Sequence, residues 1–392
     1  MSDMNSNEIA FVATNMVQFH SIKKGMKALE DEGIGSDLYV PLSNVSQQAL
    51  LDETYRELSD QGYLPLRTVD KSKKYKIWLE PSPMDYFFAY SRDNYEFRIR
   101  YRYSSISAKP DPIYSVDRNI VYDAILCHAK REAEILSAYT KTFCIPPMKF
   151  ANFQKDTNRV SNKPVLLYLP TFGDVSSIDN IEKAMKGLKE KYYIIAKAHH
   201  GTQYFAHEKH RESRKDILEE ISDECLGQKT DIVELLKKAD IVLSDNSGSI
   251  FDAIYAEVPV AVFNEGTLNK RKLGNIDTYQ YQLVERGIVP FANDIKDIEG
   301  MLETVDEYRE KQRSEKNNQF GCEVGTAGFV EAIKEFLVKD RNQDEYYAMR
   351  DIILETYFNL RRRALFYRNK YTWGLYMKAH RFFKKLSSAF RG

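Results

Sequence analysis

Small hydroxyl and glycine residues cluster at a turn in the second half of the chain. The apolar run Ile241–Leu243 ends abruptly, and Ser247, Gly248 and Ser249 follow it just before a helical pattern. Small side chains let a phosphate approach the backbone amides of a helix start closely. The pattern predicts a phosphate-binding turn. The simpler alternative is a turn that only caps its helix, and the spacing alone favours neither.

Polar residues also follow two other apolar runs of this half. Thr171 comes after Val165–Leu169, and Lys197 and His199 come after Tyr192–Ala196. If these runs are neighbouring parallel strands, their ends face one cleft. A lysine and a histidine there would neutralise a pyrophosphate without a metal or cofactor, and the chain has no Asp-x-Asp sequence. A structural role is the alternative for His199.

The first half offers a base and a set of cations. His20 is predicted after the loop that follows the first strand, near the start of the first helix, where a neutral imidazole could act as a general base; a helix-start histidine without a catalytic role is the alternative. Arg98, Arg100 and Arg102 alternate with apolar residues, so they share one face of a strand. They would bind an anionic acceptor or form an exposed sheet face.

The carboxyl-terminal segment is strongly basic. The whole chain has 57 Lys and Arg and 57 Asp and Glu, yet the segment from residue 356 to 392 contains no acid and carries basic residues at positions 361, 362, 363, 368, 370, 378, 381, 384, 385 and 391. On a helical wheel, basic residues face aromatic ones, as in an interfacial membrane helix. Docking onto the protein body and nucleic-acid binding are the alternatives, and nucleic-acid binding is the weaker of the two. The residues predicted to contact the membrane are Lys370, Trp373, Lys378, Arg381, Phe383 and Lys385.

The elements that must position these residues alternate between strands and helices. In the first half, strands are predicted at Ile9–Ala13, Leu38–Val40, Tyr75–Leu79, Phe97–Tyr103 and Ala124–Cys127, and helices at Ser21–Glu32, Ser46–Ser59 and Ala129–Tyr139. In the second half, strands are predicted at Val165–Leu169, Tyr192–Ala196, Ile241–Leu243 and Pro259–Phe263, and helices at Ile178–Lys189, His207–Asp223, Ile232–Lys238 and Phe329–Val338.

This alternation predicts an α/β fold of two Rossmann-like lobes with a ligand cleft between them. The polar stretch 151–163 is the best linker candidate. The predicted domains are an acceptor-side lobe at 1–155, a donor-binding lobe at 156–340 and a basic helical tail at 341–392.

Composition favours a soluble cytoplasmic protein. The first residues show no basic segment followed by an apolar core, as a secretory signal would, and no apolar run approaches the length of a membrane span. The four cysteines are scattered without metal-binding spacing. They are expected to be buried thiols in a reducing compartment.

Three segments carry a family resemblance. YLPTF at Tyr168–Phe172, AKAHHG at Ala196–Gly201 and DIVLSDNSGSIFDAIYAEVPVAVF at Asp240–Phe263 resemble the CDP-glycerol glycerophosphotransferase family, which includes teichoic-acid primases and polymerases and related capsule polymerases. The resemblance implies a GT-B fold, a CDP-activated polyol phosphate as donor, and peripheral attachment to the inner face of the bacterial cell membrane.

The resemblance also implies roles for residues. His199 would contact the donor phosphates, Ser247 and Ser249 would hold them, and Asp245 and Asp252 would order the turn. The sequence departs from the family at two places. Gly248 stands where the family has a second serine, and the first lobe lacks the family's His-Gly-Thr-Pro segment, whose histidine is the proposed base.

Three functions are compatible with these features. The first is a metal-independent transferase that moves glycerol or ribitol phosphate from a CDP donor to a cell-surface glycan or lipid-linked acceptor, with His20 replacing the missing base. The second is a GT-B glycosyltransferase that uses a nucleotide sugar in capsule or lipopolysaccharide synthesis. The third is an inactive scaffold docked on the membrane.

Overall fold

The chain divides into two compact units, Met1–Val338 and Lys339–Gly392. The computed structural model describes residues 8–42, 48–70, 72–81, 94–102, 119–158, 160–199, 201–202, 211–227, 229–245, 247–265, 272–273, 276–321, 325–360 and 363.

The first unit begins with a six-stranded parallel sheet of order β2-β1-β3-β4-β5-β6. Its strands are β1 (Ile9–Val12), β2 (Ser36–Tyr39), β3 (Tyr75–Glu80), β4 (Tyr95–Tyr101), β5 (Ala124–Cys127) and β6 (Lys141–Cys144). Its helices are α1 (Met16–Asp31), α2 (Gln48–Asp60) and α3 (Lys130–Leu136).

A second six-stranded parallel sheet follows, with the order β14-β11-β10-β7-β8-β9. Its strands are β7 (Val165–Leu169), β8 (Tyr193–Lys197), β9 (Glu224–Leu226), β10 (Ile241–Ser244), β11 (Val260–Phe263) and β14 (Phe291–Ala292), and β12 (Lys272–Leu273) pairs antiparallel with β13 (Ile276–Asp277). The helices are α4 (Ile178–Leu188), α5 (Arg211–Ile221), α6 (Ile232–Lys238), α7 (Ser249–Tyr255), α8 (Tyr279–Glu285), α9 (Ile298–Glu303), α10 (Arg309–Phe320) and α11 (Ala327–Val338).

The two sheets confirm the predicted α/β fold of two Rossmann-like lobes. Strands such as β7 are apolar on both faces and fully buried, because helices cover both sides of a parallel sheet. Helix α4 buries Ile178, Ile181, Met185 and Leu188, which lie on one face at helical spacing. The predicted lobe boundary at 155/156 remains a prediction.

Strand order decides where the polar strand ends meet. In the second sheet β7 lies between β10 and β8, with Ser244 opposite Leu169 and Ala196 opposite Tyr168. The strand ends of β7, β8 and β10 are therefore adjacent at the carboxyl edge, as the sequence predicts.

Helix α11 packs on the first lobe, although it follows the second lobe in the chain. The ring of Phe329 lies 6.4 Å from that of Phe11, and the ring of Phe336 lies 5.1 Å from that of Phe97. These apolar contacts join the end of the first unit to the sheet with which it begins.

Two expectations are wrong in detail. Helix α1 begins at Met16 rather than Ser21, because the Asn15 side chain accepts a hydrogen bond from the Gln18 amide and caps it. His20 therefore lies inside the helix and not just before it. Of the described cysteines, Cys127 is buried, but Cys144 and Cys225 are exposed.

The second unit contains a helix at residues 345–360. A short 3₁₀ turn, Arg341–Gln343, precedes it. Arg341 forms an ion pair with Asp351, with an N–O distance of 2.7 Å, and the Tyr347 ring is fully buried.

Candidate functional site

A cleft with a volume of about 110 Å³ lies at the carboxyl edge of the second sheet. The first lobe contributes Val17 and His20 from α1, and the second contributes strand ends and two helix starts. The lining residues are Val17, His20, Lys149, Leu169, Pro170, Lys197, Ala198, His199, Thr230, Asp231, Ile232, Ser247, Gly248, Ser249 and Asp252.

Lys197 is the central cation of this cleft. It ends β8 and is only 9% exposed, and among the described residues it has neither a hydrogen bond nor an ion pair within 4.0 Å. Burial lowers the pKa of Lys197 to about 8; Asp231 and Asp252 raise this pKa, and Lys149 lowers it further. The amine is still largely protonated at pH 7. An anionic ligand group would supply the counter-ion that Lys197 lacks.

A backbone amide and an aromatic ring hold the His199 side chain in place. The Gly201 amide donates to its Nδ1 at 2.9 Å, so the neutral ring carries its proton on Nε2. The imidazole stacks on Phe172, with ring centroids 4.6 Å apart and planes 24° apart. A Cβ at Gly201 would lie 2.6 Å from the Phe172 ring. Glycine at 201 therefore makes room for the ring on which His199 stacks.

The serine turn, which contains Ser247, Gly248 and Ser249, makes hydrogen bonds within itself and to its neighbouring strands. Ser244 Oγ donates to the Leu169 carbonyl at 2.8 Å and lies 3.0 Å from Ser249 Oγ. Ser247 Oγ accepts from the Ser249 amide at 3.3 Å. Gly248 has a φ of −66°, an ordinary right-handed value that serine also adopts. The backbone here does not require the glycine that distinguishes this chain from the family pattern.

Two of the predicted donor-binding residues, Thr171 and Asp245, do not line the cleft. Asp245 is fully buried and accepts from the Thr171 amide at 2.8 Å and from the Ser177 amide at 3.0 Å. Asp245 thus orders the loop after β7, which carries Phe172. A direct donor contact by Thr171 or Asp245 remains a prediction.

The floor of the cleft contains an ion pair between Lys149 and Asp252. Of these two residues, only Asp252 is predicted from the sequence. Lys149 Nζ lies 2.7 Å from Asp252 Oδ1, with side-chain exposures of 4% and 10%. Burial raises the pKa of Asp252, against the lowering effect of Lys149. Lys149 follows two prolines between the lobes, and no local pattern marks it as a site residue.

His20 forms the first-lobe wall and contacts the second lobe. Its Nε2 lies 3.1 Å from the Lys229 carbonyl, and its Nδ1 lies 3.3 Å from Lys23 Nζ and 3.5 Å from Asp231 Oδ2. Burial is the largest cause that lowers the pKa of His20, so the ring is neutral at pH 7. Asp231 was also missed, because its position before α6 indicates only a helix cap.

Arg98 and Arg100 of β4, and Arg102 directly after it, do not form an exposed sheet face, since all three are buried. Arg98 Nη2 donates to Glu80 Oε1 at 2.6 Å, Arg100 Nη1 to Asn119 Oδ1 at 2.5 Å, and Arg102 Nε lies 2.6 Å from Glu132 Oε1. Their cationic groups face protein partners. Acceptor binding by these arginines remains a prediction.

The predicted membrane residues of the tail, Lys370 to Lys385, lie outside the described residues. Within the described part of the chain, no helix is long and apolar enough to cross a membrane. The described residues also contain no group of three or more His, Cys, Asp or Glu placed to hold a metal ion.

Known proteins resemble this chain in part of its sequence and in its fold. Residues 146–320 match the family described as CDP-Glycerol:Poly(glycerophosphate) glycerophosphotransferase, and no curated protein matches the chain. The wall teichoic acid polymerase TagF is similar over 86% of this chain and 89% of its own, at 14% identity and a TM-score of 0.54. A UDP-GlcNAc 2-epimerase from Neisseria meningitidis, bound to UDP-GlcNAc, is similar over 85% of this chain and 100% of its own, at 14% identity and a TM-score of 0.51.

At these identities the structural similarities show the fold alone, which is the two-lobed GT-B arrangement. The family match is independent of them and covers β7, β8 and β10 together with Lys197, His199 and the serine turn. The resemblance found in the sequence is confirmed. Residues 146–320, somewhat less than half of the chain, therefore resemble the CDP-Glycerol:Poly(glycerophosphate) glycerophosphotransferase family.

Proposed function

We propose that this protein transfers a polyol phosphate, glycerol or ribitol phosphate, from a CDP donor to a hydroxyl of a cell-surface glycan or lipid-linked acceptor, without a metal. Lys197 carries the proposal. It is a buried ammonium without an ion pair among the described residues, and it lies beside His199 and the serine turn. A diphosphate would supply the negative charge that balances the Lys197 ammonium.

The donor contacts follow from the hydrogen-bonding state of each group. Lys197 would pair with the diphosphate, and His199 would donate from Nε2, since its Nδ1 is occupied by the Gly201 amide. Ser247, Gly248 and Ser249 would lie along the phosphates, while Asp252 would be held away by Lys149. Cations and donors aimed at a leaving phosphate stabilise the charge that develops on it.

The reaction itself is a displacement at phosphorus. The acceptor oxygen forms a bond to the phosphorus that carries the polyol, the bond from that phosphorus to the CMP oxygen breaks, and CMP leaves with the electron pair. The hydroxyl proton goes to a base, which we assign to His20. Its lowered pKa leaves the ring neutral and able to accept a proton.

A donor panel tests the proposal. Release of CMP from CDP-glycerol or CDP-ribitol, unchanged by EDTA, is expected, and each CDP donor should raise the melting temperature. His199→Ala should lose transfer and keep its fold. Turnover of UDP- or CMP-sugars alone would overturn the proposal in favour of a glycosyltransferase. Absence of any thermal shift with any nucleotide would favour the scaffold.

We further propose that the tail binds the inner face of the bacterial cell membrane. The basic residues between 361 and 391 and the absence of acid in that segment support this, because each Lys or Arg near an anionic surface adds about 1 kcal/mol. Replacing Lys370, Lys378, Arg381 and Lys385 by Gln should release the protein from phosphatidylglycerol vesicles. Full retention of this variant on the vesicles would contradict the assignment.

A further inference from the structure

A carboxylate of the second lobe lies next to the proposed base of the first lobe. Asp231 Oδ2 is 3.5 Å from His20 Nδ1, and Lys23 Nζ contacts both atoms, 2.9 Å from the same oxygen and 3.3 Å from the same nitrogen. His20 and Lys23 are one turn apart on α1, whereas Asp231 immediately precedes α6.

A backbone hydrogen bond holds each of the two residues, Asp231 and His20, in place. Asp231 Oδ1 accepts from the Val233 amide at 3.0 Å and so caps α6, which leaves Oδ2 for Lys23 and His20. On the other side, the N–H at His20 Nε2 donates a hydrogen bond to the Lys229 carbonyl. The imidazole therefore presents its lone pair at Nδ1, and that lone pair accepts from Lys23 in this arrangement.

We propose that Asp231 is a positioning residue for His20 and completes the proton acceptor across the cleft. This inference rests on the proposed function. When the acceptor hydroxyl takes the place of Lys23 at Nδ1 and gives its proton to that nitrogen, the positive charge that forms on the ring would lie close to the Asp231 carboxylate. Lys23 would release Nδ1 and keep its bond to the carboxylate. Because the two residues belong to different lobes, the base is complete only where α1 and α6 meet.

Several charged groups act on His20, and their signs differ. Asp231 raises its pKa, while Lys23 on the same helix and Lys197 on β8 lower it, and the Lys229 carbonyl also favours the protonated form. Glu57 on α2 lies within electrostatic reach. Removing Asp231 or Lys23 should therefore move the pKa of His20 in opposite directions.

The variants Asp231→Asn and Lys23→Gln test this arrangement in the full-length protein. Asparagine caps helices as well as aspartate does, so α6 should be retained. Asp294→Asn is the matched control, because Asp294 also caps a helical turn and pairs with a lysine, at an exposed site. CMP release from CDP-glycerol is measured from pH 5 to pH 10, and His20 is titrated by NMR with His20→Gln for assignment.

Asp231→Asn should lower kcat by about tenfold to a hundredfold, within the range of general-base catalysis, and move the acid limb of kcat/KM to lower pH. Lys23→Gln should move that limb to higher pH, and Asp294→Asn should leave it in place. A wild-type rate with an unmoved acid limb and unchanged His20 titration in both variants would overturn the positioning role alone. A wild-type protein that releases no CMP would overturn the proposed function, and the positioning role with it.

Discussion

Lys149 Nζ lies 2.7 Å from Asp252 Oδ1 in the floor of the cleft, and both side chains are almost completely buried. The pair joins the segment between the lobes to the helix after the serine turn. It also keeps the Asp252 carboxylate from pairing with Lys197, and so leaves Lys197 available for a ligand.

Loss of this pair should be costly. Lys149→Met leaves a buried carboxylate without its counter-ion, and we expect the free energy of unfolding to fall by about 3–5 kcal/mol in urea titrations. Lys149→Met combined with Asp252→Asn should recover part of that loss. Lys186→Met is the matched control, since it removes an exposed lysine that pairs with Glu182 and Glu220 and should leave the free energy of unfolding nearly unchanged. Equal losses in the two single variants would contradict the burial argument.

Removing the charge of Lys197 should stabilise the free protein and abolish donor binding. Because burial lowers its pKa to about 8 from 10.5, the folded state disfavours the protonated amine at pH 7. Lys197→Met should raise the free energy of unfolding by about 1–3 kcal/mol, at 1.36 kcal/mol per pKa unit. Thermal shifts with CDP-glycerol should disappear. Lower stability together with retained donor binding would show that Lys197 is not an unpaired cation.

Donor affinity should depend on pH through the same amine. Below a pH of about 8 Lys197 is protonated and its affinity for a diphosphate is full, and above it the affinity should fall as the proton is lost. The stability of the free protein should change in the opposite sense, rising with pH between about 8 and 10.5, because the unfolded state holds the proton longer. Calorimetric Kd values for CDP-glycerol from pH 6 to pH 10 test this. Lys197→Arg should flatten the dependence, since arginine stays protonated.

Gly201 should tolerate no side chain. A Cβ there would meet the Phe172 ring at 2.6 Å and displace it from His199. We expect Gly201→Ala to lower kcat/KM for CMP release by at least about tenfold, since small displacements of reacting groups are costly. Gly187→Ala is the control, because nothing lies within 4 Å of that position in α4. Adding Phe172→Ala to Gly201→Ala should restore stability without restoring activity.

Replacing Arg98 should mainly reduce the stability of the protein. Its guanidinium bonds to Glu80 Oε1 at 2.6 and 3.0 Å inside the first lobe, so Arg98→Met should lower the free energy of unfolding by about 3–5 kcal/mol. The exposed Arg56→Met should have almost no effect. A raised acceptor KM at unchanged stability would instead support the predicted acceptor contact.

The sequence by itself determined the elements and the edge at which they meet. The apolar runs of β7, β8 and β10 and the polar residues after them are local patterns, and parallel strands must end at one edge. The placement of Lys197, His199 and Ser247 along one cleft was therefore predictable, and donor binding by them stays a prediction. The start of α1 was also encoded locally, by Asn15, but this cap was overlooked.

Only the tertiary structure decided which charges are paired and which are buried. Lys149 and Asp231 come from segments without a chemical pattern, and they reach the cleft through contacts between distant parts of the chain. The three arginines in and directly after β4 alternate as an exposed face would, yet Glu80, Asn119 and Glu132 surround them. Burial and charge pairing depend on neighbours far apart in sequence, so local periodicity could predict the strand that carries Arg98 but not the surroundings of its side chain.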